Sequence, residues 1–246
     1  MNATQPPNYK NTGVYLTDRP RSRPRERDIQ QANLISAQAA RLPTNARVLD
    51  VGCAAGEMDT VLAARFPSYL FTGIDPAREL IDKAKADFPA GDFRVGSALS
   101  LPEEFRGTFD VVLCSGVLGI FDEADASTVI DNLLTCARAG GLIYVFANFN
   151  DYPADVLIRY RKWRDATPGE WETGWNTFSR LLISEWLAGK AQTWRFIPFD
   201  LSIDLPFQDD PSRTWTIRNA DNQLLVTNGL RVLANLQFLE IVKSKA

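Results

Sequence analysis

One stretch limits the architecture more than any other: Arg47-Val48-Leu49-Asp50-Val51-Gly52-Cys53-Ala54-Ala55-Gly56, with a helical pattern after it. A short apolar run ends in an acid. Two glycines then bracket a turn, and residues 58–66 place Val61, Leu62 and Phe66 on one helical face. Strand, glycine turn and helix together form the opening unit of an α/β sheet. Glycine permits dihedrals and a close backbone approach that a side chain would block. In open α/β sheets ligands bind at the carboxyl ends of such strands, where a helix N-terminus also offers free N–H groups.

The alternation continues along the chain. Residues 70–74, 93–95, 109–114 and 142–146 read as further strands, and residues 78–88 and 127–137 as helices. Such βαβ units imply a parallel sheet with right-handed crossovers and helices on both faces. A first helix is expected after Asp28, which forms a capping-box pattern with Gln31, and should end before Pro43. After residue 149 the rhythm changes. Residues 153–164 and 177–187 look helical, with Gly189 as a C-cap, and an aromatic loop with Trp171 and Trp175 lies between them. The spacing of Tyr160 with Trp163 or Arg164 suggests a helix face in the core, with Trp163 packed against the sheet. A β-rich tail follows, with strands at 193–199 and 238–242 and a hairpin from 214–218 and 224–227. The expected division is an irregular segment 1–27, a cofactor-binding core 28–150, a helical insertion 151–190 on the substrate side, and C-terminal strands 191–246.

Composition removes several chemistries. Histidine is absent from the 246 residues, so Ser-His-Asp and Cys-His catalysis and histidine-ligated metals are excluded. Cys53, Cys114 and Cys136 are widely spaced and form no CxxC pair, so they read as small packing residues rather than a disulfide or zinc framework. No metal site is expected. The formal net charge of −3 does not attract nucleic acid or acidic membranes. No apolar run is long enough to span a bilayer, and residues 1–10 lack a signal-peptide core, so a cytoplasmic location is expected. Arg19, Arg21, Arg23, Arg25 and Arg27 could contact phosphates, but such runs are more often solvated or paired with local acids. Residues 9–27 could also fold over a cofactor as part of a lid.

Charge chooses between cofactors. Dinucleotide sites use G-x-G-x-x-G, whereas here Gly52 and Gly56 flank Ala54, and Asp50 would repel a pyrophosphate. S-adenosylmethionine (SAM) carries no phosphate, and its α-amino, sulfonium and ribose groups tolerate or favour a carboxylate.

Asp50-Val51-Gly52-Cys53-Ala54-Ala55-Gly56 resembles motif I of the class I SAM-dependent methyltransferases. Gly73-Ile74-Asp75 resembles the family's second-strand acid, which binds the ribose hydroxyls, and lies 23 residues beyond Gly52. Gly96-Ser97-Ala98-Leu99-Ser100-Leu101-Pro102 resembles the adenine loop, with Ser97 where many members carry an acid. Phe109-Asp110-Val111-Val112-Leu113-Cys114-Ser115-Gly116 resembles the fourth-strand motif, and Ala139-Gly140-Gly141-Leu142 the turn before strand five. The resemblance covers residues 46–147 well and 190–246 more loosely. It implies a Rossmann-like, doubly wound, seven-stranded sheet, mostly parallel with an antiparallel C-terminal edge, and a helical insertion or lid. It implies SAM as cofactor, with S-adenosylhomocysteine as product. The cofactor residues it implies are Asp50, Gly52, Cys53 (through its N–H), Gly56, Asp75, Pro76, Ser97, Ala98 and Ser115.

Each of these residues has a plainer reading. Asp50 and Gly52 could form a structural turn, Asp75 before Pro76 could be a helix N-cap, and Ser97 could serve loop chemistry. The acceptor is expected over strands four and five, near Asn148, Asn150, Trp171 and Trp175, with Asp151 as a candidate base. Asn148, Asn150 and Asp151 also suit a turn. Three functions follow: a methyltransferase acting on a small molecule, on a hydroxyl of a sugar or natural product; a catalytically silent module binding a partner or RNA; and an NAD-dependent oxidoreductase. The acceptor and the oligomeric state are not encoded in any motif.

Overall fold

The computed structural model describes Leu16 and residues 24–164, 166–201, 215–218, 222, 224–227 and 234–245. Its spine is a sheet in the order β3-β2-β1-β4-β5-β14-β11. The strands are β1 Arg47–Val51, β2 Leu70–Asp75, β3 Asp92–Val95, β4 Phe109–Ser115, β5 Ala137–Asn150, β14 Leu236–Lys243 and β11 Ala191–Pro198. Strands β1 to β5 pair in parallel, and β14 runs antiparallel to both β5 and β11. The expected seven strands with an antiparallel C-terminal edge are therefore present, and a short eighth strand joins the sheet beside β5. The interior strands β1, β4 and β5 are buried almost throughout, as parallel strands covered on both faces should be.

Helices cover the two faces. On one side α1 (Glu26–Ala37) and α2 (Glu57–Arg65) pack Ala32, Ile35, Met58 and Leu62 against Val48, Val111 and Tyr144. On the other, α4 (Glu123–Cys136) packs Val129, Ile130 and Leu133 against Leu49, Val112 and Ile143. Helix α3 (Arg78–Asp87) covers Phe93 with Ile81 and Ala84. Asp122 caps α4, accepting from the Asp125 N–H at 3.0 Å. The first helix begins at Glu26, earlier than the capping-box pattern suggests. Asp28 lies inside its first turn, where it pairs with Arg27 at 2.7 Å instead of capping.

The insertion departs most from expectation. Residues 153–164 are extended, not helical: β6 (Arg159–Tyr160) pairs with β9 (Glu172–Thr173), and β7 (Trp163–Arg164) with β8 (Thr167–Pro168). Val156 exchanges both backbone hydrogen bonds with Thr177, at 2.8 and 2.9 Å. Long-range pairing has overridden a local helical spacing. Trp163 is accordingly exposed rather than packed on the sheet. The helix expected over 177–187 is split. Thr177–Ser179 forms β10, which pairs in parallel with Asn148–Asn150, and only Arg180–Leu187 forms the helix, α5. Ser179 caps α5 by accepting from Leu182 N–H at 3.2 Å. Gly189 follows with φ +74°, in its expected role as helix terminator. The tail hairpin is present as β12 (Trp215–Arg218) and β13 (Leu224–Thr227). No helix among the described residues is long and apolar enough to cross a membrane.

Candidate functional site

The glycine turn is built at the carboxyl end of β1, between β2 and β4. Gly52 has φ +80°, and a Cβ there would lie 2.3 Å from Val117 Cγ2, so both its backbone and its close contact require glycine. Gly56 has φ +72° at the start of α2. Ala54 between them also adopts a left-handed φ, of 48°. The turn is pinned from β2: the N–H groups of Gly52 and Cys53 both donate to the Ile74 carbonyl, at 2.7 and 3.0 Å. The Cys53 N–H is thus committed within the protein, not turned to a ligand. Its side chain packs with Ile81, Ala84 and Phe93.

Asp75 organises the neighbouring loop. One carboxylate oxygen accepts from Ala54 N–H at 3.1 Å and the other from Ala77 N–H at 2.9 Å. Burial pushes its carboxyl up, and these two bonds oppose the shift. Asp75 is not the cap of α3; Ala77 holds that position. Each carboxylate oxygen keeps spare lone-pair capacity, as a diol ligand requires. Pro76 beside it is exposed.

Ser97 accepts from Leu99 N–H at 3.2 Å, so its oxygen already serves the loop, while its O–H remains a donor. The Ala98 carbonyl is held by Asn132 of α4 at 2.8 Å. No sequence pattern pointed to Asn132, because the contact spans 34 residues.

A cavity of about 40 Å³ lies at this end of β1 and β4, lined by Arg25, Arg27, Asp50, Gly52, Ser115 and their neighbours. Asp50 is 3% exposed, and its Oδ1 has no hydrogen-bond partner. Desolvation raises its pKa to about 7, with Arg27 opposing. Ser115 Oγ is also buried without a partner. Arg25 pairs with Glu57 at 2.5 Å across the mouth. Arg19, Arg21 and Arg23 lie outside the described residues. All three cysteines are free and buried, and burial raises each thiol, Cys136 to about 11. Nothing marks them as nucleophiles.

The expected acceptor residues are not brought together. Asn148 is buried in β5 with its Oδ1 unpartnered. Asn150 is consumed by a turn, accepting from Tyr152 N–H and donating to the Ala154 carbonyl. Asp151 is exposed and does not line the cavity. Trp171 is exposed, with Arg159 and Arg161 over its ring at 5.9 and 5.3 Å. Trp175 is half-buried, held at φ 64° where bulky residues are strained. Sequence reasoning missed its neighbour. Asn176, fully buried, donates to the Phe121 carbonyl, accepts from Ile158 N–H, and gives its own N–H to the Gly119 carbonyl. It ties the insertion to the loop after β4.

Comparison with known proteins agrees with this geometry. Residues 48–141 match the model of a methyltransferase domain. An uncharacterized methyltransferase of Schizosaccharomyces pombe is 25% identical over 74% of this chain and 69% of its own. A ubiquinone biosynthesis O-methyltransferase of Xanthomonas axonopodis is 35% identical over 49% of this chain, which spans only half of that relative. A SAM-dependent methyltransferase structure from Clostridium acetobutylicum shares the fold, with a TM-score of 0.58, 10% identity, and coverage of 89% of this chain and 92% of that one. The motif I turn, the second-strand acid and the sheet order are all in place for the class I SAM-dependent methyltransferase fold, and residues 48–141 match a methyltransferase domain.

Proposed function

We propose that the protein transfers a methyl group from SAM to a small-molecule acceptor, on a hydroxyl oxygen of a sugar or natural product. The observation that carries the cofactor part is the pair of unpartnered buried oxygens, Asp50 Oδ1 and Ser115 Oγ, on one cavity beside the Gly52 turn. Buried polar atoms without partners are rare and call for a ligand or water. The residues present fit SAM: Asp50 for its cationic methionyl end, Asp75 for the ribose, Ser97 and Ala98 for the adenine, and Gly52 and Gly56 for close backbone approach. Arg25 and Arg27 line this cavity from the N-terminal side, which supports residues 9–27 as part of a lid. The oxygen acceptor rests on the name of the Xanthomonas relative.

SAM supplies an activated methyl group, so the chain's task is to position an acceptor in line and exclude water. We read residues 151–190 as the acceptor side. Strand β10 takes the place beside β5 where β4 ends, and Asn176 fixes it there. Asn148 and Trp175 are the nearest candidates on that side. The exposed Asp151 competes with bulk water for the acceptor's proton, so positioning rather than base catalysis carries this reading.

Calorimetric titration with SAM and S-adenosylhomocysteine, with NAD as control, tests the cofactor. Binding of the SAM pair only, weakened roughly 100-fold or about 2.7 kcal/mol by Asp75→Ala, is expected. A folded protein that ignores SAM would overturn the proposal. Mass-spectrometric screening of hydroxylated acceptors then tests the substrate class.

A further inference from the structure

Motif I supplies a reason for Asp50 but none for Asp59. Asp59 lies in the first turn of α2, beside Met58, on the face that packs against the sheet. A surface helix places an aspartate outward. This one is fully buried, no other residue donates to either of its carboxyl oxygens, and only its own backbone N–H favours the anion. Its neighbour is Asp50, likewise buried, whose Oδ1 also lacks a donor, and each carboxyl group acts on the ionisation of the other.

Two carboxylates cannot hydrogen-bond, because both are acceptors only. A hydrogen bond between them needs a proton on one of them, and two desolvated like charges that act on each other resist joint ionisation. The surrounding charges decide which group holds it. From α1, Arg27 favours the Asp50 anion and Asp28 opposes it; from β2, Asp75 opposes it. Asp59 has Asp28 and Asp50 as like-charged neighbours and no cation among the groups acting on it. Cys53 and Cys114, the thiols facing the pair from the turn and from β4, stay neutral. Arg25 and Glu57 pair with each other at the mouth. Gln31 of α1, buried on the same helix face as Asp28, carries no charge.

We propose that Asp59 is a neutral carboxylic acid that donates its O–H to Asp50, a positioning residue that holds Asp50 as the oriented anion for the cationic end of SAM. The role toward SAM rests on the cofactor reading above; the proton on Asp59 does not.

The test compares the wild type with Asp59→Asn, which keeps a donor, and Asp59→Leu, which keeps the volume and loses the donor. Infrared difference spectra of the ligand-free proteins at neutral pH should show a protonated-carboxyl band in the wild type that vanishes in Asp59→Asn. Absence of that band from the wild type would overturn the proposal. SAM affinity is then measured by calorimetry between about pH 5 and 9. Asp59→Asn should stay within roughly threefold of the wild type at neutral pH. Asp59→Leu should lose roughly tenfold or more, with the pH midpoint moved upward because Asp50 has lost the bond that favours its anion. Equal losses in both variants, or a Leu profile superimposable on the wild type, would also overturn it. A wild type that shows the band yet binds no SAM at any pH overturns the cofactor reading and the role toward SAM, while the shared proton stands.

Discussion

The glycine turn and the insertion sit at the same end of the sheet but are built differently. The turn is made from residues close in sequence: Gly52, Cys53 and Ala54 close onto Ile74 and Asp75 of the next strand. Its conformation depends on glycine dihedrals and one carboxylate. The insertion is made from distant pairings: Val156 with Thr177, β10 with the end of β5, and Asn176 with Phe121 and Gly119. It carries exposed Trp163, Trp171 and Tyr152, and one buried asparagine, Asn176, ties it to the loop after β4. A cofactor shared across a family can be held by a locally coded turn, whereas an acceptor surface that differs among members sits on segments free to change.

Gly52→Val is the strongest way to break the turn. It adds a left-handed β-branched residue and a clash with Val117, and is expected to remove SAM binding by roughly 100-fold or more and cost several kcal/mol, about 3 or above. Calorimetry and thermal melting read both. Asn176→Ala is the matching break in the insertion. It leaves the Phe121 carbonyl and Ile158 N–H unpaired and should cost roughly 2–4 kcal/mol in denaturant unfolding. SAM affinity should hold within about threefold, because the turn does not depend on it. If affinity falls with stability, the two regions are one cooperative unit.

Acid sharpens the contrast. Asp50 has its folded pKa raised from 3.8 to about 7. Its contribution to stability is fully present below about pH 4 and is lost as pH rises through about 7. Thermal melting of the ligand-free protein should therefore show that loss between about pH 4 and 7, and saturating SAM should flatten it. A pH-independent melting temperature in that range would contradict the buried acid. The smallest effect is expected from Asp151→Asn: stability within about 0.5 kcal/mol and turnover retained, since the side chain is exposed. Loss of turnover in steady-state assays would restore Asp151 as the base.

Legibility followed this division. Strand β1 was readable to the residue because a buried parallel strand is a mostly apolar run, and the turn because glycine accepts the positive φ at Gly52 and Gly56. Asp75 was readable by its spacing from Gly52. The extended course of 153–164 was not: Tyr160 with Trp163 or Arg164 keeps a helical spacing, and pairing with residues 167–177 makes the segment extended.

The sequence alone determined the sheet, the turn and the cofactor class, because each depends on residues within a few positions or on one strand-to-strand interval. The tertiary structure alone decided that Asp59 is buried with its carboxyl oxygens unpartnered, that Asn132 and Asn176 pin their loops, and that Asn150 is spent on a turn while Asp151 faces solvent. Those outcomes depend on burial and on partners far along the chain, and a side chain's burial and partners are properties of the folded packing rather than of local pattern.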